Sequence, residues 1–97
     1  MTKLNFYSLM RVGGKAQAIL HNGYTDGDFN YYKNGSSWSA IHPLYGLSVA
    51  SGATRKDAAE EAHQLFVLDG IARVAEQRGE KMQAEFNRLC DDAEKMR

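Results

Sequence analysis

The sequence predicts an α+β fold, an antiparallel meander sheet of four to five strands followed by two helices packed on one face. Two observations predict it. Before Ser51-Gly52 the chain is rich in aromatic and β-branched residues interrupted by turn dipeptides. After it come Ala, Glu, Lys, Arg, Gln and Leu, with apolar residues three and four apart. At 97 residues the chain has room for one domain. Residues 1–51 form its strand-rich half and 54–97 its helical half.

Leu4 to Val12 alternates, with Leu4, Phe6, Met10 and Val12 on one face. Gly13-Gly14 suits the positive φ of a two-residue hairpin. Lys15 to His21 returns as the second strand, Ala16, Ala18 and Leu20 lying opposite Gln17, Ile19 and His21, and Asn22-Gly23 ends it. Residues 24–28 read as a polar loop. Phe29 to Lys33 is an aromatic strand, and Asn34-Gly35 is the strongest hairpin signal in the chain. Ser37 to His42 alternates through Trp38, Ala40 and His42. A turn at 43–46 then leads to a short last strand, Leu47 to Ala50.

Thr54 is a good N-cap, and Asp57 three residues on makes a near capping box with Asp in place of Glu. Ala58, Ala62, Leu65, Leu68, Ala72 and Ala75 share one helical face. Gly70 weakens this helix or admits a close neighbour, and Arg78-Gly79 is a C-terminal stop. The second helix carries Met82, Phe86, Leu89 or Cys90, Ala93 and Met96 on one stripe; it also reads as a bent continuation of the first.

Composition narrows the function classes. With 43% hydrophobic and 25% charged residues the composition is close to the globular average, and whole-chain disorder is not expected. Twelve basic residues cancel twelve acidic ones. Neither a strongly basic nucleic-acid binder nor a wholly acidic DNA mimic fits that balance. Cys90, the single cysteine, fits a reducing compartment and a buried thiol in a helix. No leader pattern opens the chain. No apolar run approaches the roughly 18 residues of a membrane span.

Phosphate-loop and dinucleotide fingerprints are absent. Asp26, Asp28 and Asn30 open like a calcium loop, but Tyr31 stands where Gly is needed and Ser37 where Glu is needed. His21, His42 and His63 have no partner at ligand spacing, so they read as surface or strand-end histidines, and a zinc site would assemble only by long-range chance. Tyr24, Tyr31, Tyr32, Trp38 and Tyr45 cluster in the strand half, as base-stacking aromatics do, but Lys3, Arg11, Lys15 and Lys33 are too sparse for a phosphate track. Residues 57–69 carry Asp57, Glu60, Glu61 and Asp69 without a Lys or Arg. Carboxylates in a first helical turn gain from the macrodipole. They also suit a surface that occupies a cationic, phosphate-binding groove.

Tyr32-Lys33-Asn34-Gly35-Ser36-Ser37-Trp38, the strand Tyr45-Gly46-Leu47-Ser48-Val49 and the helix start Thr54-Arg55-Lys56-Asp57-Ala58-Ala59 give the chain the character of small phage and prophage accessory proteins. In length and layout the whole chain resembles a type I-F anti-CRISPR protein. The resemblance implies an inhibitor that binds the CRISPR RNA-guided surveillance complex in the bacterial cytoplasm. Such inhibitors block target DNA binding or nuclease recruitment, some by occupying the cationic DNA path. The chain is then expected to be a monomer with no catalytic machinery, cofactor, metal, membrane or direct nucleic-acid contact. Charge placement selects the partner-binding residues: Asp26, Asp28, Asp57, Glu60 and Glu61 facing Lys and Arg, with Tyr24 or Tyr31 supplying apolar contact. The alternative is a small regulatory, antitoxin-like module that binds nucleic acid directly.

Overall fold

A computed structural model describes residues 1–68 and 71–96, with side chains described for 1–65 and 79–96. The fold is α+β. Five strands, β1 (Thr2–Val12), β2 (Lys15–Thr25), β3 (Asn30–Asn34), β4 (Ser37–Ile41) and β5 (Ser48–Gly52), pair antiparallel in sequence order. Helices α1 (Arg55–Leu68) and α2 (Ile71–Lys95) follow. Among the described residues no helix is long and apolar enough to cross a membrane.

Turn chemistry sets the meander. Gly13 and Gly14 both have positive φ, 59° and 84°, as a type I′ hairpin requires. The β3–β4 loop departs from expectation by one position. Asn34 pairs with Ser37 as the last residue of β3, so the two loop residues are Gly35 and Ser36. Only Gly35, at φ 65°, is left-handed, which is the type II′ pattern with Gly first.

Asn22-Gly23 does not end β2. The strand runs on to Thr25, and Tyr24 and Thr25 pair with Tyr31 and Asn30. Gly23 is there for close approach. A Cβ at this position would lie 2.0 Å from the Tyr31 carbonyl oxygen and 2.8 Å from Phe6 Cε1. Glycine inside a strand commonly marks such a contact.

Both helices cover one face of the sheet. α1 lies over β3, β4 and β5, and α2 lies along β2. Phe29, Tyr31, Ala40, Ala50, Ala58 and Ala62 form the buried core beneath α1. α2 meets the hairpin through Leu89 and Ala93 beside Ala16 and Ala18, and the Tyr7 hydroxyl donates to Glu94 Oε1. Phe86 is buried against Gly46, where a Cβ would come within 2.3 Å of its ring. Arg78-Gly79 does not stop a helix; α2 runs through it, and Gly79 is buried. Gly70 lies outside the described residues, as do the side chains of Leu68, Ala72 and Ala75.

The opposite face is buried in its middle by curling of the sheet. The amide of Leu9, on the outer edge of β1, donates to the Gly46 carbonyl at 2.8 Å, which draws β1 toward the β4–β5 loop. Phe6, Ser8, Asn30, Ser39 and Ile41 are buried on this face. His21 stacks on Tyr32 at 3.8 Å between ring centroids, and its Nε2 lies 2.7 Å from Ser8 Oγ. Leu4, Met10 and Val12 share this alternation but are exposed, because β2 is paired with β3 only at its last two residues and the hairpin projects past the core. Leu65 and Met96 are also exposed, at 40% and 88%, and so lie off the buried stripes of their helices.

Gly23→Ala forces a methyl against a backbone carbonyl that cannot swing aside. We expect it to destabilise the fold by about 3 kcal/mol, the upper end of ordinary overpacking costs. Urea unfolding of the variant and the parent checks this, and equal midpoints would refute the close-approach account.

Candidate functional site

The site grows from the turn between β2 and β3. Asp26 Oδ1 accepts from the amides of Asp28 and Phe29, both at 2.9 Å. Thr25 Oγ1 accepts from the Gly27 amide and donates to the Phe29 carbonyl, both at 3.0 Å. Asp and Thr side chains close turns in this way by supplying oxygens to the backbone. Gly27 takes the left-handed position, at φ 94°.

The other carboxylate oxygen of Asp26 faces inward. Its Oδ2 accepts from the Tyr31 hydroxyl at 2.6 Å and from His63 Nε2 at 3.0 Å. Tyr31 is fully buried. His63 comes from the third turn of α1 and sits edge-on to Phe29, ring centroids 5.1 Å apart. Because an ionised carboxylate only accepts, Nε2 is the protonated nitrogen of His63 in this arrangement. Asp28 Oδ2 lies 4.0 Å from the same nitrogen on a side chain that is 71% exposed. A cleft of about 320 Å³ adjoins the group, lined by Gly27, Asp28, Phe29, His42, Pro43, Leu44 and His63.

The electrostatics follow from these bonds. Partial burial alone would raise the pKa of Asp26. Hydrogen bonds from Tyr31, the Phe29 amide, His63 and the Asp28 amide outweigh it and hold the carboxyl at about 2. Burial first, then the bond to Asp26 and the charges of Asp26 and Asp28, push the Tyr31 phenol far above its ordinary value. At neutral pH the pair is therefore a carboxylate held by a neutral phenol.

The expected partner-binding residues separate into distinct groups. Asp26 and Asp28 come together with His63. Asp57, Glu60 and Glu61 are exposed on α1, while Ala58 and Ala62 between and beyond them face the core. Thr54 Oγ1 accepts from the Asp57 amide at 3.1 Å, so the cap holds as read from sequence. Tyr24 is half-buried, with the Arg55 guanidinium 4.1 Å above its ring and 5.8 Å from that of Trp38. That arrangement covers a stacking face with a cation of the chain itself. Tyr31 offers no surface for contact, since its ring is core and its hydroxyl is held by Asp26. The residue that sequence reasoning passed over is His63, which is 37 positions from its partner Asp26 and had no spacing signal to reveal it.

Because the carboxyl of Asp26 is depressed in the fold, its contribution to stability is full above the ordinary value of 3.8 and is lost as pH falls toward about 2. A depression of this size corresponds to about 2 kcal/mol. Asp26→Asn should therefore cost about 2 kcal/mol at pH 7 in urea unfolding, with the gap to the parent closing as the pH approaches 2. A pH-independent gap would assign the loss to packing instead. No family model matches the chain, and no curated protein or solved structure matches it significantly.

Proposed function

We propose that the chain acts by binding, as an inhibitor that lays the acidic face of α1 on a cationic surface of a larger complex. The partner implied by the anti-CRISPR resemblance is the CRISPR RNA-guided surveillance complex, and the contact is its DNA path. The observation that carries this reading is the mounting of Asp57, Glu60 and Glu61. All three are exposed within the first two turns of a helix whose opposite side, at Ala58 and Ala62, is fully buried. Among the described residues, none of the three takes part in an ion pair.

Rigid mounting matters physically. Carboxylates on a docked helix need little ordering on binding, so less of the Coulomb attraction is lost to entropy. Lys and Arg side chains that hold phosphate oxygens hold carboxylate oxygens by the same charge-assisted bonds. Complementary potentials of this kind raise association rates and make binding salt-dependent.

Glu60→Lys with Glu61→Lys reverses two exposed charges and leaves the core untouched. Purified type I-F surveillance complex is mixed with labelled target DNA and increasing inhibitor, and the bound DNA is measured. The parent should exclude DNA, and the double variant should need at least about tenfold more protein to do so, with a weaker salt dependence. Equal potency would make these residues an ordinary solvated helix face. Direct, salt-dependent DNA binding by the isolated chain would favour the regulatory nucleic-acid module.

A further inference from the structure

Asp26, Asp28 and His63 bring one ligand atom each to within 4.8 Å of one another. We propose that they form a binding site for a divalent transition-metal ion of the zinc class, ligated by His63 Nε2, Asp26 Oδ2 and Asp28 Oδ2. One imidazole and two carboxylates suit zinc and its neighbours, whereas calcium and magnesium prefer oxygen-only shells. The two carboxylates balance the charge of one divalent ion.

The spacing is that of a site needing small adjustment. Ligands about 2.0–2.2 Å from a tetrahedral centre lie roughly 3.3–3.6 Å apart. The His63–Asp26 and His63–Asp28 separations are 3.0 and 4.0 Å, on either side of that value. Asp28 is the exposed member and closes the gap by side-chain rotation. To ligate, His63 shifts from the Nε2–H to the Nδ1–H tautomer, so that its Nε2 lone pair binds the metal and the ring stays neutral.

Two features outside the three ligands separate this cluster from a chance meeting of surface charges. The first is Tyr31, a fully buried residue whose hydroxyl reaches Asp26 Oδ2 from the core side. Metal-ligating carboxylates are held by outer partners of this kind, whose loss commonly weakens metal binding 10–100-fold. The second is the adjoining cleft between the turn and residues 42–44, which leaves room on the open side for a water as fourth ligand.

The test uses the full chain, stripped of metal with chelator and exchanged into chelator-free buffer. Zn²⁺ is titrated calorimetrically, and Co²⁺ is added separately to read ligand geometry from its visible spectrum. The expected result is one ion per chain, a tetrahedral Co²⁺ spectrum, and a loss of at least about tenfold in affinity for His63→Gln and for Asp28→Asn. Both side chains are at least 45% exposed, so both variants should fold. Tyr31→Phe keeps the core ring and should weaken Zn²⁺ binding by about tenfold or more. Absence of saturable binding overturns the site. So does undiminished affinity in His63→Gln, which would place the ion at another histidine or at Cys90. Undiminished affinity in Tyr31→Phe overturns the positioning role of the phenol.

Discussion

The close approach of α1 to the sheet is the constraint on which the rest of the molecule depends. Ala40 and Ala50 on the strands meet Ala58 and Ala62 on the helix, and all four are buried. Gly52 removes the last obstacle at the helix start. A Cβ there would lie 2.6 Å from the Ala58 amide nitrogen and 2.8 Å from Asp57 Cβ. Extra methylenes in such a contact cost about 1–3 kcal/mol and shift backbone. A lifted helix would also carry His63 away from Asp26, so the geometry of the candidate site is set by alanines that never touch it.

Small residues in one place require large ones nearby, since a core packs to a fixed density. Phe29 and Tyr31 supply that bulk. Tyr31 adds a hydroxyl that must be satisfied once buried. The Asp26 carboxylate satisfies it at the point where the sheet ends and the turn begins. The same bond therefore anchors the β2–β3 turn, fills the hydrogen-bonding need of the core and orients a carboxylate toward α1. Gly23 and Gly46 repeat the close-approach device at the β2–β3 contact and at the Phe86 contact of α2.

Features fixed by local chemistry were legible in the sequence, whereas features fixed by distant contacts were not. Gly13-Gly14 and Thr54 act within a few residues of themselves, and the hairpin and the cap stand where the sequence placed them. Gly23 misled because the sequence shows a turn-like dipeptide and conceals Phe6 and the Tyr31 carbonyl, the neighbours that demand glycine. Arg78-Gly79 misled in the same way, as glycine within a helix that continues past it. The β1 pattern promised one buried face but could not show how far the hairpin would outrun β3. For the candidate site, Asp26 and Asp28 stood out by charge. His63 was invisible because its role requires a helix to be laid across a sheet.

The acidic residues selected by charge placement have two kinds of surroundings in the fold. Asp26 is already committed, its oxygens taken by two amides, a phenol and an imidazole. A carboxylate so engaged, its side chain 20% exposed, offers little surface to a partner's Lys or Arg, whereas a metal ion at the turn would replace only the His63 proton on Oδ2. Glu60 and Glu61 are exposed on a helix anchored from behind, which is the situation in which charge acts on something outside the molecule. A metal ion at Asp26, Asp28 and His63 would neutralise the turn and leave the α1 carboxylates unchanged. Docking through α1 and metal binding at the turn therefore rest on different side chains, and either can fail without bringing down the other.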